Sequence, residues 1–310
     1  MKKISIIGAG NIGGVLAYLA SVRELGDIVL VDIKEGIAKA KALDICQSSS
    51  IYGFKCRIFG TANLKAIRNS DVIIVSAGVP RTPEIESREK LFDINKKIIQ
   101  DVSEAIKEHS PNAFVIVITN PLDIMTYLTL KTTQFNKNKV VGMGGILDTG
   151  RFKAVIAKKL HMEYEDVNTI VIGGHDELMI PVISNTKIKD KPLKFYLNEE
   201  ETDEAIKLTK NGGAEIVNLL GTSAYFAPAS GAINIAEAYL KDEKRVLPCS
   251  TLLEGEYNAN NICIGVPARI GKNGVEEILE LNLSDKEKEE LSKSVEKINV
   301  LIGKIWKWQI

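Results

Sequence analysis

His175 leaves an apolar run, residues 167–172, through Gly173 and Gly174, whereas the chain's two other histidines, His109 and His161, stand in polar helix-end stretches. An imidazole with an ordinary pKa near 6.5 gives or takes a proton close to neutrality, so a histidine in this setting is a candidate acid/base as well as a candidate structural residue. Only eight of the forty basic residues are arginine. Each is therefore more informative than a lysine, because a planar guanidinium holds a carboxylate by two parallel hydrogen bonds. Arg81 and Arg88 fall in the irregular segment AGVPRTPEIESREK, residues 77–90, which reads as a lid or binding loop facing an anion. Arg151 follows Asp148 by three positions in LDTGRFKAVIAKKL, so the two share a helix face, as a plain surface ion pair also would. Asn120 ends the apolar strand FVIVI within TNP, where its amide could meet a substrate or only form the turn.

A second kind of chemistry is written at the N-terminus. Gly8, Gly10 and Gly13 complete G-x-G-x-x-G after the β-branched run of Ile4, Ile6 and Ile7 and before a helix-periodic stretch. The first glycine permits a tight turn, the second lets backbone approach a pyrophosphate, and the third lets helix lie close to strand. The helix N-terminus then offers unpaired N–H groups to the phosphates. The next apolar strand, Ile28 to Val31, ends in Asp32, nineteen residues past Gly13. A carboxylate there accepts from a ribose 2′-hydroxyl and repels a 2′-phosphate, which predicts NAD over NADP. Residues 4–22 carry no charge and follow Lys2-Lys3, but four glycines and Asn11 within them suit a turn better than a membrane helix or a signal peptide.

These residues need elements to position them. The chain has 310 residues, 45% of them hydrophobic and 26% charged, with zero formal charge. That is globular composition, and it gives no electrostatic basis for binding nucleic acid or a membrane surface. Cys46, Cys56, Cys249 and Cys263 form no C-x-x-C pair and have no histidine at ligand spacing. No metal site is expected, and free buried thiols in a reducing cytoplasm are. Strands and helices alternate through residue 142: helix over 35–46, strand over 56–59, a helical turn over 64–68, strand over 72–75, helix to about 108, strand over 114–118 and a short strand over 139–141. The fold class predicted is α/β: a doubly wound, mostly parallel Rossmann sheet in residues 1–143, complete near Gly142, followed by an α+β substrate and catalytic domain in residues 144–310 packed directly on it. In the second half, strands are expected over 167–172, 179–184, 246–252 and 262–269, and helices over 200–220, 229–241 and from 284. Trp306 and Trp308, two apart in the tail, cannot both face one side of a helix.

The ordered set GAGNIG, Asp32, GVPR, Ser87-Arg88, TNP, LDTGR and GGH, together with DIKEGIAKAKALDI, SAYFAPA, RVLPCS, LEGEY and GVPARIGKNGVEEI, resembles the lactate and malate dehydrogenase family over essentially the whole chain, and its lactate-dehydrogenase-like malate dehydrogenases in particular. The resemblance implies reversible hydride transfer between malate or oxaloacetate and NAD(H), with lactate or another 2-hydroxy acid as the rival substrate and a non-catalytic dinucleotide-binding protein as a third reading. It implies His175 as acid/base, Asp148 orienting its imidazole, Arg88 polarising the reacting carbonyl, Arg151 on the C1 carboxylate, Arg81 on the second carboxylate, and Asn120 on the substrate. The cofactor set it implies is Gly8, Gly10, Asn11, Ile12, Gly13, Asp32, Asn95 and Asn120. A homo-dimer or homo-tetramer, a cytoplasmic location and a place in the tricarboxylic acid cycle come with it. Three departures stand out. His175-Asp176-Glu177-Leu178 replaces the usual HGD with Thr or Ser, so two carboxylates are expected to raise the histidine's pKa. The lid carries one extra residue, PEIESR for PGMSR. Gly150 replaces the usual alanine, costing about 1 kcal/mol of helix propensity.

Overall fold

The structure, a computed structural model, describes residues 1–55, 57–79 and 88–306. In the first half the apolar runs become strands and the intervals between them helices: β1 (Lys3–Ile7), α1 (Asn11–Val22), β2 (Asp27–Val31), α2 (Glu35–Tyr52), β3 (Ile58–Thr61), β4 (Val72–Val75), α3 (Arg88–His109), β5 (Phe114–Val117), α4 (Leu122–Thr133) and β6 (Val140–Gly142). The strands pair in parallel in the order β3-β2-β1-β4-β5-β6. Winding runs outward from β1 first to β3 and then, on the other side, to β6, so the topology switches between β1 and β4. In doubly wound sheets ligands bind off the carboxyl strand ends at that switch.

Both faces of the parallel strands are covered, which is why they read as unbroken apolar runs. Ile4, Ile6, Val72 and Ile74 point into one core with α1, α2 and a later helix. Ile7, Ile73, Val75 and Val117 point into the other with α3 and α4. That is the period of two expected of a strand.

The second half comprises α5 (Gly144–Leu160), β7 (Val167–Asn168), β8 (Val171–Gly173), β9 (Met179–Pro181), β10 (Lys187–Ile188), β11 (Lys191–Pro192), α6 (Glu199–Leu220), α7 (Phe226–Leu240), β12 (Arg245–Glu254), β13 (Asn260–Gly271), β14 (Gly274–Ile278) and α8 (Asp285–Trp306). The sheet is not complete near Gly142, contrary to expectation. β12 adds antiparallel to β6 through Ser250 and Gly142, and β13, β8 and β9, with β14 paired to β13, extend it to eleven strands. An open β6 edge would leave backbone groups unpaired. A side chain at Gly142 would meet Ser250 Cβ at 2.9 Å, so the glycine admits the new strand. The expected single strand over 167–172 is two: β7 pairs with β10 in a separate three-stranded sheet, while β8 turns into the large sheet. Between them Thr169 Oγ1 hydrogen-bonds Thr186 Oγ1 at 2.7 Å, and Thr149 Oγ1 accepts the Val171 N–H at 2.9 Å. The charged strand β14 went unforeseen, since VEEI offers little apolar alternation; its partner β13 supplies the order.

Cys249 and Cys263 are buried and free, but Cys46 is exposed on α2, against the expectation of buried thiols; Cys56 and Trp308 lie outside the described residues. Among the described residues no helix is long and apolar enough to cross a membrane, and no group of acidic, histidine and cysteine side chains is arranged to hold a metal ion.

Candidate active site

The glycine turn sits at the topological switch. Gly8 has φ +105°, and a Cβ on Gly13 would stand 1.8 Å from the Gly8 carbonyl oxygen, so α1 lies too close to β1 for any side chain there. Gly10 caps α1 without a side-chain hydrogen bond, and a Cβ built on it meets nothing within 4 Å. The first-turn N–H groups, those of Asn11 and Ile12 included, therefore front open space at the positive end of a helix, which fits a pyrophosphate. Asp32 closes one side: its Oδ2 accepts the Ala9 N–H at 2.7 Å and its Oδ1 the Lys34 N–H at 2.9 Å. Lys41, which the sequence pattern did not single out, reaches from α2 to donate to the Gly10 carbonyl at 2.6 Å, and Ser76 donates to the Gly8 carbonyl at 3.1 Å.

Asn95 is 1% exposed. Its Oδ1 accepts the Val79 N–H at 2.8 Å and its Nδ2 donates to the Asn120 carbonyl at 2.8 Å. It thus ties the loop after β4 to the loop after β5, a bridge no spacing rule would disclose. Asn120 itself is exposed at the end of β5. Arg88 is the first residue of α3, while Arg81 and Ser87, with the longer lid, lie outside the described residues.

Across from the cradle, α5 brings Asp148 and Arg151 onto one face, and the turn after β8 brings His175 to them. His175 Nδ1 and Asp148 Oδ2 are 2.7 Å apart, and Arg151 Nη1 donates to the other oxygen, Oδ1, at 3.3 Å. With Asp148 only 1% exposed, this is no surface ion pair. Close packing supports it: a Cβ on Gly144 would meet His175 Cβ at 2.8 Å, so α5 and the turn after β8 approach too closely for a side chain there. Behind the imidazole, Ser294 Oγ of α8 accepts the Gly174 N–H at 2.9 Å, and Asp123 Oδ2 of α4 accepts the His175 N–H at 2.8 Å. Burial alone would push the imidazole's pKa down. The Asp148 charge and hydrogen bond, with a further contribution from Asp123, outweigh burial and the opposing Arg151 cation, and hold His175 above the ordinary histidine value.

The HDEL departure behaves differently from expectation. Asp176 Oδ2 and Glu177 Oε1 each lie 2.5 Å from Lys297 Nζ of α8, so both carboxylates of this segment have a cation, and the raised His175 pKa traces to Asp148 and Asp123 instead. Asp176 is not among the residues with positive φ. Its carboxylate accepts the Leu178 N–H at 2.7 Å in a local turn that glycine could not make. At Gly150 an added Cβ meets nothing within 4 Å.

Asp123, Ser250, Ser294 and Lys297 escaped the sequence reading. For Asp123 a signal existed: it is the one charged residue of LDIMTYLTL, a mostly apolar helical stretch.

Two family models match the chain: lactate/malate dehydrogenase, NAD binding domain, over residues 2–142, and lactate/malate dehydrogenase, alpha/beta C-terminal domain, over residues 146–307. A malate dehydrogenase of Pelagibacter ubique is 49% identical over 308 residues, covering 97% of this chain and 96% of the relative. A crystal structure of Cryptosporidium parvum malate dehydrogenase superposes with a TM-score of 0.96 at 46% identity, covering 98% of each chain. The lactate dehydrogenase of the same organism, solved with lactic acid and nicotinamide adenine dinucleotide, superposes with a TM-score of 0.96 at 41% identity, covering 99% of this chain and 98% of that one.

Proposed function

The chain belongs to the lactate/malate dehydrogenase family, and from that premise we propose that it is an NAD-dependent malate dehydrogenase in which His175 moves the proton. The observation that carries the proposal is the buried Asp148 carboxylate shared between His175 Nδ1 at 2.7 Å and Arg151 Nη1 at 3.3 Å. A carboxylate on Nδ1 fixes the tautomer that turns Nε2 toward substrate and steadies the imidazolium. In malate oxidation Nε2 takes the C2 hydroxyl proton as the C2–H bond gives up its hydride; in oxaloacetate reduction the same Nε2–H returns the proton to the carbonyl oxygen. Bound nicotinamide supplies or accepts that hydride. Arg151 forks onto the C1 carboxylate, Arg88 offsets the charge that builds on the C2 oxygen, and Arg81 receives the second carboxylate. Asn120 contacts the substrate at the end of β5.

For the cofactor, the N–H groups around Gly8, Gly10, Asn11, Ile12 and Gly13 receive the pyrophosphate and Asp32 the adenosine ribose. Asn95 serves by holding the loops after β4 and β5 together. We place the domain boundary between Met143 and Gly144, which the family-model limits of residues 142 and 146 support. A homo-dimer or tetramer fits the exposed apolar side chains Leu43, Ile51 and Tyr52 on α2 and Leu219, Leu220 and Phe226 at the end of α6 and start of α7. A cytoplasmic enzyme of the tricarboxylic acid cycle fits the substrate pair and the free, exposed Cys46.

The test is a set of initial rates with oxaloacetate and with pyruvate, each with NADH and with NADPH. Oxaloacetate with NADH should lead. Pyruvate in the lead would select the second reading, a lactate dehydrogenase, which the likeness to the Cryptosporidium parvum enzyme keeps open. Asp32→Ser should narrow the preference for NADH over NADPH by about tenfold or more, since it removes a charge-assisted hydrogen bond worth about 1.5–3 kcal/mol along with the repulsion of a 2′-phosphate. A wild type equally efficient with both cofactors would refute the Asp32 assignment.

A further inference from the structure

Asp148 is one of two carboxylates that hold His175. Asp123 lies in the first turn of α4, a helix whose residues Leu122 to Leu130 are all buried. Its Oδ2 accepts the His175 N–H at 2.8 Å and its Oδ1 accepts the Ser250 hydroxyl of β12 at 2.6 Å. We propose that Asp123 is a positioning residue for proton transfer: clamped by Ser250, it fixes the main chain of His175 and its negative charge favours the imidazolium form. The proposal rests on the reading of His175 as the acid/base.

Satisfying the two hydrogen bonds does not by itself call for a charge. Asparagine has the same shape, and its carbonyl would accept the His175 N–H while its amide donates to the Ser250 oxygen, at a much smaller cost of burial. What aspartate adds is a fixed negative charge behind the imidazole, at the N-terminal end of α4, where the helix dipole helps to hold it. Burial pushes the Asp123 carboxyl up to about 6, against the lowering effect of the Ser250 and His175 hydrogen bonds, so its charge is present above that pH and fades below it. Among the described residues the groups around the pair are few. Asp148 and Arg151 face His175 from α5, the first favouring the imidazolium and the second opposing it. Asp176 opposes the ionisation of Asp123, and Lys297 of α8 lies on Asp176. Cys263 of β13 is held neutral by burial and by Asp123 itself. Two carboxylates thus favour one imidazolium. The sign follows: His175 stays protonated to a higher pH than Asp148 alone would allow, which supports oxaloacetate reduction on the alkaline side and relinquishes it as pH rises through the raised value.

With three histidines in the chain, the titration can be read directly by NMR on protein labelled with ¹⁵N-histidine, with His175→Asn assigning the resonance. Asp123→Asn should lower the His175 midpoint by about half to one pH unit, so that oxaloacetate reduction at pH 8 falls about three- to tenfold while that at pH 6 stays near wild type. Ser250→Ala keeps the carboxylate but raises the pH at which it ionises, so the His175 midpoint should fall by less and in the same direction. It decides the matter if Asp123→Asn does not fold. A His175 midpoint equal to wild type in the folded variant overturns the proposal, even where turnover drops uniformly at every pH, because that is the signature of a merely structural aspartate. If His175→Asn itself turns over like wild type, the acid/base reading fails instead, and the two failures are told apart.

Discussion

His175→Asn should abolish turnover in both directions while leaving NADH affinity little changed. Asparagine can still form hydrogen bonds in that place, but it cannot take up or release a proton near neutrality, and general acid–base assistance is typically worth about 10²- to 10⁴-fold. The loss should fall on kcat, because the proton moves only in the transition state. Asp148→Asn should be milder on kcat, since imidazole and Nε2 remain. It should also raise KM for oxaloacetate, because the same carboxylate accepts from Arg151 at 3.3 Å and orients it. Single-turnover rates measured with chemistry limiting are the appropriate check. A loss in His175→Asn below about tenfold would mean that some other group carries the proton.

Arg81→Gln should largely erase the preference for oxaloacetate over pyruvate. Oxaloacetate carries a second carboxylate that pyruvate lacks, and an arginine closing over it contributes about 1.5–3 kcal/mol by charge-assisted hydrogen bonds. Closing over pyruvate leaves the same cation buried without a partner, at a cost of about 3–5 kcal/mol. At about 1.4 kcal/mol per factor of ten, wild type should favour oxaloacetate in kcat/KM by about a hundredfold or more. Glutamine removes both the partner for oxaloacetate and the penalty for pyruvate, so activity should fall on the first and rise on the second. A variant impaired alike on both would show that Arg81 does not discriminate, and would take away the main residue-level support for malate over lactate.

Some of this molecule was legible before any fold was known. The glycine turn and strands β1, β2, β4 and β5 were readable because their causes are local: apolar runs of strand length, and glycines where an L side chain would meet backbone, as a Cβ on Gly13 would meet Gly8 at 1.8 Å. The family was legible too, because the motifs that carry it stand in order along nearly the whole chain. The site's composition, a histidine with an aspartate and arginines, could be read as a list of types, but not as an arrangement.

Arrangement was decided by tertiary structure, for a physical reason visible in particular pairs. Sequence spacing sets geometry only within a few residues, as for Asp148 and Arg151 on one helix turn. His175 meets Asp148 across 27 positions and Asp123 across 52, and Lys297 reaches Asp176 across 121. Those contacts depend on which helices pack against which strands. The continuation of the sheet through β12 is a decision of the same kind: one pairing, Ser250 to Gly142, sets β12 beside β6, and the Ser250 hydroxyl then holds Asp123 behind the histidine. Asn95 likewise reads as an ordinary polar residue in a helix until packing leaves it 1% exposed between two loops. The chemistry these residues can perform belongs to their types and was present in the sequence; which of them touch, and so which proton is favoured where, follows from burial, because only the packed interior removes the water that would otherwise screen and replace each of these bonds.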